Sequence, residues 1–136
     1  MHLKTIIFLL VFQITASAAF SQLPTCKSLQ VGSFKIESPE FGTTYITRTK
    51  TAQTEINNDY GIEMIFDIRW IDSCTYELRP KKLIRGPKEL MGDGKLYIIS
   101  RITDITENGY TALTSDNMNN EPMKFKVEIV RLGNPI

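Results

Sequence analysis

The stretch that decides the fold is IEMIFDIRWID, residues 62–72. Its alternate positions are apolar and are occupied by Ile62, Met64, Phe66, Ile68 and Trp70. Between them stand charged residues, Glu63, Asp67 and Arg69, and the exceptions are Ile65 and Ile71. Since successive side chains of a β-strand point to opposite faces, this spacing predicts a strand with one buried face over Ile62–Asp72.

The same alternation recurs on both sides of this stretch. Near the C-terminus the alternating apolar residues are Met123, Phe125, Val127 and Ile129. Further strands are predicted at Val31–Glu37, Thr43–Lys50, Ala52–Asn57, Cys74–Arg79, Leu96–Ile105 and Gly109–Ser115. Asn108-Gly109 is the clearest hairpin turn between them, because both residue types reach positive φ easily.

The predicted fold is therefore all-β, an antiparallel meander of about eight strands. Closing the sheet into a small lipocalin-like barrel buries each apolar face and removes the sheet edges. A two-sheet β-sandwich is the alternative. One connection is long: Pro80–Gly94 is predicted to be a link with a single helical turn at Pro87. Its apolar residues would cover one barrel mouth as a lid: Leu83, Ile84, Leu90 and Met91.

The N-terminus predicts export. Met1–Ser21 has the basic start, apolar run and small residues of a secretory signal peptide. The preferred cleavage site follows Ala19-Phe20-Ser21, and Ala16-Ser17-Ala18 is the alternative. No later stretch reaches about 18 apolar residues, so no transmembrane segment is expected. The predicted location is periplasmic or extracellular.

The composition of the remaining chain narrows its function. Gln22–Ile136, 115 of the 136 residues, is predicted to be one domain with fifteen basic and fifteen acidic side chains. A neutral chain has no general attraction to nucleic acid, and no nucleic-acid partner is expected. The only histidine, His2, lies in the predicted signal peptide, which excludes histidine-based nucleophile systems and zinc sites. No cofactor, metal or catalytic residue is predicted.

Two cysteines remain, Cys26 and Cys74. Exported domains keep disulfides, so we predict a Cys26–Cys74 bond that ties the N-terminal segment to a central strand. A lipid anchor at Cys26 is the alternative, because Leu23-Pro24-Thr25-Cys26 is similar to a lipoprotein box. Metal binding by two cysteines alone is weaker, because zinc prefers four ligands.

Three motifs resemble those of small exported proteins of Gram-negative bacteria. They are Cys26 with Gly32 and Phe34; Arg48 with Gln53 and Glu55; and Trp70 with Cys74, Tyr76 and Leu78. The resemblance implies a β-barrel or lipocalin-like shape and carries over no catalytic residues. Some of these proteins bear the label DNA topoisomerase IV, which a chain this short, neutral and exported does not support.

The first candidate site consists of Arg48, Gln53 and Glu55, on two strands joined by a tight turn. A guanidinium beside an amide and a carboxylate could bind a polar ligand head or a ligand carboxylate. The structural alternative is a cross-strand polar pair that sets the strand register.

The second candidate site is an aromatic and apolar wall for a hydrophobic ligand. Its predicted members are Met64, Phe66, Trp70, Tyr76 and Phe125. The alternative is a packed barrel end, since Trp and Tyr bury large areas in protein cores.

The third candidate is a basic block between Arg79 and Lys88 that contains no acid. Its lid or anion-binding residues would be Lys81, Lys82, Arg85 and Lys88. A phosphate-bearing glycolipid, an anionic ligand or an acidic partner surface would suit this charge, and a solvated loop is the alternative.

These features favour a non-enzymatic module that binds a small hydrophobic or amphiphilic ligand inside the barrel. The second hypothesis is a protein-interaction or envelope-structural module, because a small barrel can be filled by its own side chains. An enzyme that uses carboxylates or lysines is the third.

Overall fold

The computed structural model describes residues 22–119 and 121–133. The predicted signal peptide, Met1–Ser21, lies outside the described residues. Among those that are described, no helix is long and apolar enough to span a membrane.

Eight antiparallel strands follow one another around a closed barrel, within the described ranges. They are β1 (Gly32–Ser38), β2 (Gly42–Arg48), β3 (Ala52–Asn57), β4 (Ile62–Trp70), β5 (Thr75–Arg85), β6 (Ile98–Thr103), β7 (Gly109–Asp116) and β8 (Met123–Leu132). Each pairs with the next, and β8 pairs with β1. The predicted meander and barrel are confirmed, and the sandwich is excluded.

The prediction of a long link over Pro80–Gly94 is wrong for its first part, residues 80–85. Strand β5 continues through Pro80 to Arg85, and the connection to β6 covers only residues 86–97. Proline lacks the N–H that a ladder needs, but Pro80 lies opposite Phe66 at a register shift between Ile65 and Phe66. A β-bulge is one of the few sheet positions that accept proline.

The hairpin at Asn108-Gly109 is present, but for another reason than the predicted one. Gly109 begins β7 and does not have positive φ, whereas Asp104 at the start of the same turn has φ 48°. A Cβ on Gly109 would overlap the carbonyl oxygen of Val127 on β8. Glycine is therefore needed here because the two backbones approach closely.

One end of the barrel is sealed by the N-terminal segment. A 3₁₀ turn, Ser28–Gln30, places Leu29 in the core with no exposed surface. The segment is held by the predicted disulfide, Cys26–Cys74, which is confirmed with a Cα–Cα distance of 5.0 Å. Because this bond engages the sulfur of Cys26, the oxidised structure is incompatible with a lipid on that atom.

The other end of the barrel is open. Among the described residues, it is formed by the connections at 39–41, 58–61, 86–97, 117–119 and 121–122. Within the 86–97 connection, a second 3₁₀ turn at Lys88–Met91 matches the predicted helical turn. Leu83, Leu90 and Met91 pack against the core, whereas Ile84, predicted to cover the mouth with them, is 46% exposed.

Candidate functional site

The sealed half of the barrel is organised around a buried arginine. Arg48 on β2 is 1% exposed and is among the largest fully buried side chains described. Its Nε donates to Oε1 of Gln53 at 2.8 Å, and its Nη1 donates to the carbonyl oxygen of Leu29 at 2.8 Å. Its Nη2 donates to the hydroxyl oxygens of Tyr76 and Tyr110, both at 3.0 Å.

Aromatic rings enclose the same guanidinium. Its central carbon lies 4.7 Å from the ring centre of Phe34 and 4.8 Å from that of Tyr76. A cation over aromatic faces gains electrostatic stabilisation in a site that water does not reach. Burial disfavours the charged form of Arg48. Its pKa is still raised, because electrostatic interactions with Tyr76, Tyr110 and Glu55 and the hydrogen bond to Tyr110 favour that form.

Gln53 links this arginine to a carboxylate. Gln53 and Arg48 are directly paired in the β2–β3 register, as the sequence predicted. The Gln53 Nε2 donates to Oε1 of Glu55 at 2.7 Å. Since the carbonyl must face the donor Arg48 and the amino group must face Glu55, the amide has one favourable orientation. The predicted polar trio is thus assembled in the order Arg48, Gln53, Glu55.

Above this trio, a cavity of two adjoining lobes opens toward the barrel mouth. The first lobe has a volume of about 300 Å³, and the second has about 350 Å³. The residues that line both lobes are Phe41, Thr44, Glu55 and Ile98. Glu55 therefore stands at the junction of the lobes.

Glu55 is the carboxyl of this cavity whose pKa is shifted by burial. It is half-buried, and burial raises the pKa of its carboxyl above the usual value of 4.5. The hydrogen bond from Gln53 and the charge of Arg48 oppose that increase without cancelling it. Its Oε1 accepts from Gln53, and no described residue donates to Oε2.

The predicted apolar wall is divided between different regions. Met64 and Phe66 line the second lobe, and Tyr76 and Phe125 line the first. Trp70 lines neither lobe. It packs on Tyr76 at the sealed end, with ring centres 4.8 Å apart, and its buried Nε1 has no described partner.

Three residues of the predicted basic block lie on β5, and the fourth lies in the 86–97 connection at the mouth. Lys81, Lys82 and Arg85 are exposed on β5, and Lys88 is exposed in the following turn. Lys81 pairs with Asp67 at 3.1 Å, and Arg85 donates to Asn58 at 3.0 Å. None of these four cations lines a lobe of the cavity.

Sequence reasoning missed three parts of the site. Leu29, Phe34 and Tyr110 surround Arg48, but none was predicted to contact it. Tyr110 is 62 positions from Arg48 in the chain, and no local pattern relates the two. The alternation of β7 places Tyr110 on the inner face, which is the only signal that was present.

No protein family, curated protein or solved structure was found to match this chain. The fold and the cavity therefore carry the functional argument. Across residues 22–119 and 121–133, no cluster of three or more acidic, cysteine or histidine side chains is arranged to hold a metal ion.

Proposed function

We propose that the protein is an exported, lipocalin-like binding protein that holds a small apolar or amphiphilic molecule inside its barrel. The observation that carries this proposal is the two-lobed cavity, which is open at one end of the barrel and closed at the other by Leu29. The proposal assigns no catalytic step to any residue.

The lining of the cavity supports a small-molecule ligand. Each lobe is near the lower end of the ~300–1,000 Å³ that is typical of ligand sites. The walls are mostly apolar, and a few polar groups, Glu55 above all, would fix the ligand's orientation. Arg48 lies below this lining, so in this proposal it positions Gln53 and Glu55 and does not touch the ligand.

Entry takes place through the open end, and the 86–97 connection acts as the lid. Leu90 lines the second lobe from this connection. Gly92 and Gly94, within the lid, have positive φ of 62° and 82°, conformations that other residues rarely adopt. We expect Leu90 to move aside when a ligand enters.

The proposal is tested with N-phenyl-1-naphthylamine, a neutral apolar dye whose fluorescence rises in apolar surroundings. The wild-type protein is expected to bind it with saturation at one dye per chain. Ala112→Phe adds a ring to the first lobe, whose wall includes Ala112. Thr111→Phe is the matched control, because the neighbouring residue of β7 points to the outside of the barrel.

The expected result is dye binding that is lost or strongly weakened in Ala112→Phe and retained in Thr111→Phe. Equal binding by the two variants would place the dye outside the barrel and contradict the proposal. Urea unfolding of both variants shows whether the added ring leaves the fold intact.

A second candidate function is a protein-interaction module, favoured by apolar side chains at the barrel mouth. Phe41, Tyr60 and Met118 are 47%, 58% and 78% exposed, and they belong to three different connections at the open end. If these side chains form one contiguous apolar patch, that patch would mark an interaction surface. Complete exclusion of the dye from the wild-type interior would favour this function.

Export is part of the proposal and has its own measurement. Native mass spectrometry of unreduced protein from its natural host should give the mass of Gln22–Ile136 less two hydrogens. Additional mass that disappears on denaturation would be a carried ligand. A mass that includes Met1–Ser21 would contradict export with cleavage at the preferred site.

A further inference from the structure

We infer that the ligand carries a protonated amine, which binds at Oε2 of Glu55. This inference rests on the proposed function and specifies its ligand class.

The charges that face the cavity are all negative. The ionisable carboxyls of the lining are Glu55 and Asp116, and neither lobe is lined by a lysine, arginine or histidine. The nearest cation, Arg48, is 1% exposed and has donors committed to Gln53, Leu29, Tyr76 and Tyr110. A ligand carboxylate would therefore meet a negative lining and no available cation.

Glu55 and Asp116 differ in their partners and in their position. Oδ1 of Asp116 accepts the backbone N–H groups of Met118 and Asn119 at 2.7 and 2.6 Å, so this carboxyl already shapes a loop at the mouth. Glu55 has one side-chain partner, Gln53, and its Oε2 receives no hydrogen bond from a described residue. Each carboxyl keeps one oxygen without a described donor, but Asp116 lines only the first lobe, whereas Glu55 lines both and is the carboxyl that a donor on the ligand would complete.

An ammonium group suits this position better than a neutral hydroxyl. It donates a charge-assisted hydrogen bond, which is roughly twice as strong as a neutral one. It also supplies the positive charge that offsets the unfavourable burial of the Glu55 carboxylate. Because Glu55 borders both lobes, the apolar part of the amine can extend into either of them.

The test compares three probes that share an eight-carbon chain: octylamine, octan-1-ol and octanoate. Their affinities for the wild-type protein at pH 7 are measured by competition against N-phenyl-1-naphthylamine. Octylamine is expected to bind at least about tenfold more tightly than octanoate, with octanol between them. Octanoate affinity equal to or above that of octylamine would overturn the inference.

Glu55→Gln then tests the residue, because it keeps the shape and removes the charge. It should weaken octylamine about tenfold and change octanol by less than about twofold. Glu63→Gln is the matched control on the outer face of β4, and it should change neither. Unchanged octylamine binding by Glu55→Gln, with the dye still bound, would overturn the amine site and leave the binding function standing. Failure of the wild-type protein to bind the dye and all three probes would overturn both.

Discussion

Arg48 donates from Nε to Oε1 of Gln53 at 2.8 Å, directly across the β2–β3 hairpin. This short contact joins two parts of the molecule that have different roles. Below it, the guanidinium holds the N-terminal segment through the carbonyl of Leu29. Above it, the Nε2 of the Gln53 amide donates to Glu55 at the base of the cavity. Closure of the barrel and orientation of the cavity carboxyl therefore depend on one side chain.

Replacing Arg48 should destabilise the fold strongly. Arg48→Met leaves the Leu29 carbonyl and the Gln53 side-chain oxygen without their buried donor, and each such loss typically costs about 1–3 kcal/mol. Arg48→Lys should recover only part of this, because an ammonium lacks the planar fork that reaches four acceptors. The measurement is the free energy of unfolding in urea. The exposed Arg131→Met is the control, with an expected change within about 0.5 kcal/mol. Similar values for Arg48→Met and Arg131→Met would contradict the central role of Arg48.

Removing the disulfide should also lower stability. Cys26 and Cys74 are separated by 48 positions, and closing a loop of this length stabilises by about 4 kcal/mol in the chain-entropy model. Thermal and urea unfolding of the double variant Cys26→Ala/Cys74→Ala should show this loss. A reducing agent should lower the stability of the wild-type protein to the same level and leave the double variant unchanged. Equal sensitivity of both proteins to the reducing agent would show that the loss has another cause.

The two glycines Gly109 and Gly61 should respond differently to alanine. At Gly109 the new Cβ meets the backbone of Val127, so relief requires two paired strands to move apart. We expect Gly109→Ala to cost about 3 kcal/mol. At Gly61, with φ 65° and open space around it, Gly61→Ala should cost only about 1–2 kcal/mol of backbone strain. Urea unfolding measures both, and a larger loss at Gly61 would refute the steric explanation.

Two glutamates should affect stability with opposite dependence on pH. Burial raises the folded pKa of Glu55 above 4.5, so its favourable contribution is fully present below that pH and is lost as pH rises through the raised pKa. The stability of Glu55→Gln, measured relative to the wild type, should therefore be higher at pH 8 than at pH 4.

Glu77 provides the comparison of opposite sign. Hydrogen bonds from Arg79 and Arg69 lower the pKa of its carboxyl, against a smaller opposing effect of burial. Its contribution is present above pH 4.5 and is lost as pH falls through the lowered pKa. Glu77→Gln should therefore destabilise at pH 8 and approach the wild type at low pH. Urea unfolding at several pH values gives the free energy of unfolding of both variants. If its difference from the wild type changed with pH in the same direction for both, the opposite pKa shifts of Glu55 and Glu77 would be contradicted.

Local patterns were sufficient for much of the architecture. The alternation of residues 62–72 and 123–129 predicted strands that the structure confirms, and the count of eight followed from turns between such segments. The pairing of Arg48 with Gln53 was also predictable, since five positions and one tight turn separate them. The Cys26–Cys74 bond followed from the presence of two cysteines in a chain predicted to be exported.

The remaining features depend on contacts between distant parts of the chain. The extension of β5 through Pro80 needs the bulge opposite Phe66, which no local pattern indicates. The sequence left Arg48 either as a ligand-binding group or as half of a cross-strand pair, and only the closed barrel brings Tyr110 and Leu29 to it and buries it.

By itself, the sequence determined most of the strands and their order along the chain, because the period of two is a local property. Only the tertiary structure decided that Arg48 is enclosed and that Glu55 is the carboxyl left facing open space. That outcome depends on how eight strands curve around a common axis, and barrel closure places side chains together regardless of their distance along the chain.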